Sequence, residues 1–64
     1  MLPAKNNIIV KTKDSNYAIF NPLSGSFDIM DKHEYDMLEK IGSKMPVDSE
    51  FLDYLLERGY AYNT

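Results

Sequence analysis

The chain has no cysteine, no tryptophan and a single histidine among its 64 residues. Without cysteine there is no disulfide staple, no zinc–thiolate site and no cysteine nucleophile. The one histidine, His33, falls in the first turn of a helix, on its polar side. There it reads as a solvated surface residue, and no Ser/His/Asp arrangement can be built around it. The acids are spread along helix faces rather than gathered on one point, as a metal ion would require. No glycine-rich phosphate loop is present, because Ser24-Gly25-Ser26 lacks the lysine and the length of one. Purely apolar runs such as Ile8-Ile9-Val10 are short, far below the ~20 residues of a spanning helix, and nothing resembles a signal peptide. The expectation is a single non-catalytic domain over residues 1–64, with no metal or cofactor of its own and no membrane partner. The missing cysteine fits a cytoplasmic location.

Charge of one sign is also scarce in half of the chain. Residues 1–30 carry three lysines against two acids, whereas residues 31–64 carry four cations against eight acids. A phosphate backbone needs a basic face, and the acidic half does not offer one. The short length sets a further bound. A chain of this size buries only ~60% of the surface that its unfolded form exposes, so its stability is modest.

The sequence has clear punctuation. Ile8 to Lys13 reads as a strand with Ile8, Val10 and Thr12 on one face, and Asp14-Ser15-Asn16 reads as a turn. Tyr17 to Asn21 and Ser26 to Met30 flank the reversing loop Asn21-Pro22-Leu23-Ser24-Gly25, so they read as a β-hairpin. Alternation puts Ala18 with Phe20, and Phe27 with Ile29. Met1 to Asn7 is expected to be a loose end. Asp31 then opens a helix over about 32–41, with Glu34 completing a capping box, Met30 and Tyr35 placed as a hydrophobic staple, and Gly42 as its stop. Ser43 to Val47 is a linker. Asp48 or Ser49 caps a second helix over about 49–58, which Gly59 ends, with Tyr60 folding back on Leu55. Tyr60-Ala61-Tyr62 is a short final strand or extended chain.

Expected core residues are Ile19 or Phe20, Ile29, Leu38, Ile41, Leu52, Leu55 and Leu56. On the second helix, Leu52, Leu55, Leu56 and Gly59 share one direction. Phe51, Tyr54 and Arg58 share a neighbouring direction a quarter turn away. Rings and guanidinium groups are common anchors of binding surfaces. The third strand, Ser26 to Met30, has no later partner in view, and a strand with a free edge can accept another peptide as an added strand.

Tyr-x-Ile-Phe-Asn-Pro-x-Ser-Gly, a second short strand, an acid-capped helix and then Leu-x-x-Leu-Leu-Glu-Arg-Gly-Tyr form a familiar succession. Over about residues 8–62 it resembles the N-terminal precursor-recognition element of radical SAM peptide maturases with SPASM-type extensions, the RiPP recognition element, whose free-standing relative is PqqD. The resemblance implies an α+β, winged-helix-like fold: a three-stranded antiparallel sheet followed by helices. The family usually has three helices, and residues 43–47 leave room for none between the two seen here. The resemblance also implies function. The domain binds the leader segment of a ribosomally made precursor peptide and presents it to a radical SAM catalytic domain, in cis or in trans. The leader adds to Ser26, Phe27, Asp28, Ile29 and Met30, in a groove closed by the helix that carries Phe51, Tyr54, Leu55 and Arg58. Two other readings remain. One is a structural or interaction domain of a larger enzyme. The other, a winged-helix DNA-binding protein, is opposed by Asp48, Glu50, Asp53 and Glu57 around Arg58, so no nucleic-acid partner is expected.

Overall fold

The computed structural model describes residues 1–42 and 47–63. The elements in chain order are β1 (Leu2–Pro3), β2 (Ile8–Lys11), β3 (Tyr17–Asn21), β4 (Ser26–Met30), α1 (Lys32–Lys40), α2 (Ser49–Arg58) and β5 (Ala61–Tyr62). β2, β3 and β4 form an antiparallel sheet in that order, and the two helices follow it in sequence. The expected α+β arrangement is therefore present. Apart from Val47, the expected linker lies outside the described residues.

The turns form where side chains can bond to nearby backbone. In the β3–β4 loop, the Asn21 carboxamide oxygen accepts from the Leu23 and Ser24 amides at 2.9 and 3.2 Å. The Gly25 amide donates to the Asn21 carbonyl at 2.8 Å. This local bonding reverses the chain within the loop. The register then runs from Asn21↔Ser26 to Tyr17↔Met30, and β2 pairs β3 from Ile8↔Phe20 to Lys11↔Tyr17.

The helix starts match the sequence reading. At α1 both bonds of the capping box are made: the Glu34 amide donates to Asp31 Oδ1 at 2.7 Å, and the Asp31 amide donates to Glu34 Oε1 at 3.1 Å. At α2 the Asp48 carboxylate accepts from the Glu50 amide at 3.0 Å. One helix-end expectation needs correction. Gly42 does not take a left-handed cap, and α1 ends on Ile41, whose amide reaches the Leu38 carbonyl at 3.4 Å. The Tyr35 ring stacks on Tyr17, with centroids 4.0 Å apart and planes at 6°.

At the end of α2, Gly59 has φ 82°. Its amide donates to the Leu56 carbonyl at 3.2 Å, and the Tyr60 amide donates to the Leu55 carbonyl at 2.9 Å. These two bonds make the expected Schellman turn. Glycine is required twice over at this position: φ is positive, and a Cβ would lie 2.8 Å from Ser24 Cβ.

The first residues are not a loose end. β1 pairs β5 antiparallel, Leu2↔Tyr62 and Pro3↔Ala61. The Ala4 amide and the Asn7 carboxamide both donate to the Tyr60 carbonyl at 2.8 Å. Asn21 Nδ2 donates in turn to Asn7 Oδ1 at 2.9 Å and to the Gly59 carbonyl at 3.2 Å. One buried asparagine thus ties the N-terminal segment, the hairpin and the end of α2 together.

Ile19, Met30, Leu38, Ile41, Phe51, Leu55, Tyr60 and Ala61 form the core. On β3 the expected Ile19-or-Phe20 position is filled by Ile19, which is buried while Phe20 is exposed. Two core assignments change. Ile29 is exposed and its neighbour Met30 is buried, so β4 turns the opposite face inward from the one expected. On α2 the buried residues are Phe51 and Leu55, while Leu52 and Leu56 are half-buried. The inward direction of α2 therefore lies between the two faces inferred from the spacing, because both carry large apolar side chains and the sheet contacts select the middle.

Candidate functional site

β4 is an edge strand. Among the described residues no strand lies on its outer side. Five of the predicted site residues lie on this strand, and the structure separates them by face. Ser26, Asp28 and Met30 point toward the helices, and Phe27 and Ile29 point to the opposite, open face. A strand added to β4 would continue both faces, since residues opposite one another across a ladder share a face.

On the helix side, the end of α2 is fastened to β4. Ser26 Oγ donates to the Arg58 carbonyl at 2.7 Å. The Arg58 guanidinium meets Asp28 Oδ2 through Nε at 2.8 Å and through Nη2 at 2.8 Å, and Nη2 also donates to the Phe27 carbonyl at 3.3 Å. The Tyr60 hydroxyl donates to the same Asp28 oxygen and lies 3.5 Å from the Ile19 carbonyl. Asp28 is thus the shared acceptor of a cation and a phenol. Burial pushes its carboxyl up, but the hydrogen bonds from Tyr60 and Arg58 and the Arg58 charge outweigh that, and its pKa lies below the ordinary 3.8. Burial, and then the adjacent Asp28 charge, pushes the Tyr54 phenol up to about 12. Burial and the hydrogen bond to Asp28 raise the Tyr60 phenol as well.

The rings on this side pack as a chain. Phe51 and Tyr54 stack at 5.9 Å, and Tyr54 meets Tyr60 at 6.4 Å with planes tilted by 57°. Phe51 is a core residue, and Tyr54 is a partly buried ring against the core. The face that Tyr54 shares with Phe51, expected a quarter turn from the core stripe, thus packs on the core itself. Arg58 is already paired to Asp28, so it is not a free cation waiting for an acidic ligand. Leu55 is 0% exposed and Met30 is 1% exposed, so neither meets a peptide at the surface of the folded domain.

The structure thus brings together Asp28, Tyr54, Arg58, the Phe27 carbonyl and the Ser26 hydroxyl along the helix side of the β4 edge. It places Phe27 and Ile29 side chains on the other face, and Phe51, Leu55 and Met30 beneath the site. Tyr60 was missed as a member of the site. Its position one residue beyond the helix-ending Gly59 signalled a fold-back, but nothing in the sequence told which strand its hydroxyl would reach. A cavity of about 180 Å³ lined by Pro3, Ala4, Asn7, Ile9, Leu38 and Glu39 includes none of these residues. Among the described residues no group of three or more His, Cys, Asp or Glu could hold a metal ion, and no helix is long and apolar enough to cross a membrane. The chain matches no protein-family model, no curated protein and no solved structure.

Proposed function

We propose that the chain is a peptide-binding module of the RiPP-recognition type: it takes the leader segment of a ribosomally made precursor as an added strand on β4 and presents it to a radical SAM maturase. The observation that carries this reading is the edge position of β4 in a three-stranded sheet. Main-chain hydrogen bonds along Ser26–Met30 supply part of the affinity, and flanking side chains supply selectivity. On the edge itself the Arg58 guanidinium donates to the Phe27 carbonyl, a contact at the exposed surface. An incoming amide takes that carbonyl over, while Arg58 keeps its bonds to Asp28. The helix side then presents Tyr54 and the Asp28–Arg58 pair to alternate residues of the ligand.

A second reading is an interaction domain of a larger enzyme. It is favoured by the closed Asp28–Arg58–Tyr60 network, which leaves the best helix anchors already engaged. An NMR titration with the precursor leader separates the two. In the peptide-binding reading, amide shifts follow the Ser26–Met30 edge and saturate. No shift at saturating leader, with the fold intact, leaves the interaction-domain reading in its place.

A further inference from the structure

We propose that the open face of the β2–β3–β4 sheet is a self-association surface, on which a second copy of this chain packs sheet face to sheet face. The register builds the surface. Ile8 lies opposite Phe20, which lies opposite Phe27; Val10 lies opposite Ala18, which lies opposite Ile29. These two cross-strand rows fill every outer position from Ile8 to Val10 on β2, from Ala18 to Phe20 on β3 and from Phe27 to Ile29 on β4. Charged residues make up 27% of the chain, and none of them falls in either row. The five large side chains in these rows are between 38 and 60% exposed. The core that takes in the helices lies on the other face, where Ile19 and Met30 point.

A half-exposed large apolar side chain leaves on the order of 100 Å² open, so the face presents on the order of 500 Å². That is at the upper end for the largest apolar patch of a soluble monomer. An apolar sheet face is stable in water when a second layer covers it.

A second copy fits this surface for two reasons. The face carries no charge to be matched, so a two-fold axis sets like against like without a cost in unpaired ions. The area also suits this occupant. Two such faces remove on the order of 1,000 Å² from water, the lower limit for a specific interface. An interface of that size is expected to be weak and reversible. Its geometry is an aligned sandwich with layers ~10 Å apart. The β4 edge points sideways out of such a sandwich, so the dimer and the added strand do not exclude each other.

Sedimentation equilibrium of the full chain, from about 5 µM to about 500 µM, tests the proposal. The expected mass rises from 7.4 kDa toward twice that value. Val10→Lys is the decisive variant. Val10 is exposed and lies on β2, two strands from the β4 edge, so a lysine there disrupts face packing but not pairing through β4. It should weaken the dimer by roughly tenfold or more, because it buries an unpaired charge in each copy. Phe27→Lys should do the same, and circular dichroism verifies that each variant is folded. A wild type that stays monomeric throughout the range overturns the proposal. So does a dimer that folded Val10→Lys or Phe27→Lys leaves unchanged.

Discussion

The two faces of the sheet reverse the usual distribution of polarity. The buried face carries Asn21, Ser26 and Asp28 beside Ile9, Ile19 and Met30, while the open face carries Ile8, Val10, Ala18, Phe20, Phe27 and Ile29. A polar residue is costly to bury unless it is bonded, and here each is bonded. Asn21 holds Asn7 and Gly59, Ser26 holds the Arg58 carbonyl, and Asp28 accepts from Arg58 and Tyr60. The polar side is inside because it fastens the end of α2 and the N-terminal segment to the hairpin. The apolar side is outside because both helices pack on the other. Burial thus follows which face the connections reach, and apolar content alone does not predict it.

The largest expected break in this contrast comes from a charge. Ile19→Asp places an unpaired carboxylate at a fully buried position and should unfold the domain, since the cost approaches the whole ~5 kcal/mol stability of a small fold. Phe20→Asp, one residue along on the open face, should leave a folded chain. Circular dichroism of the pair is the check, and two unfolded variants would show that both faces are covered within one chain. Next in size is Leu55→Ala. It removes a fully buried side chain, and urea unfolding should show a loss of ~2–5 kcal/mol.

A smaller effect tests the polar side. Asp28→Asn should cost about 1–3 kcal/mol at neutral pH by weakening the bonds from Arg58 and Tyr60. The pH dependence follows from the sign of the shift. The folded pKa of Asp28 lies below the ordinary 3.8, so its stabilisation is complete above that value and is lost as pH falls through the folded pKa. Asp28→Asn should flatten the acid limb of the stability profile. At the alkaline end the shift runs the other way. The Tyr54 phenol is pushed up from 10.0 to about 12, so its contribution is present below 10 and declines as pH rises toward 12. Urea midpoints across pH measure both limbs.

Local chemistry was legible in the sequence, and choice of face was not. The Asn21–Gly25 reversal, the Asp31–Glu34 box, the Asp48 cap and the Gly59–Tyr60 turn each rest on side chains within a few residues of the backbone they bond, so spacing alone reveals them. The burial of β4 depends on α2, which begins about twenty residues downstream. Its alternation offers Phe27 and Ile29 on one side and Ser26, Asp28 and Met30 on the other, and hydrophobicity selects the first set, which is the exposed one. The β1–β5 pairing spans nearly the whole chain and involves two residues on each side, too few for any periodic signal. The candidate site was half legible. Asp28, Tyr54 and Arg58 were singled out, but their mutual pairing, and the part of Tyr60 in it, depends on the turn that brings β4 under the end of α2.

The most direct test compares two neighbours on β4. A one-residue change in the direction of a strand moves every side chain to the other face, so Ile29 and Met30 report opposite sides. Urea unfolding of Ile29→Ala and Met30→Ala should be run at a few micromolar, below the proposed dimer's range. Met30→Ala should lose ~2–5 kcal/mol, the range for a buried side chain of this size, and Ile29→Ala less than about 1 kcal/mol. The opposite order, with Ile29→Ala the damaging change, would contradict the assignment of the inner and outer faces and the site built on them.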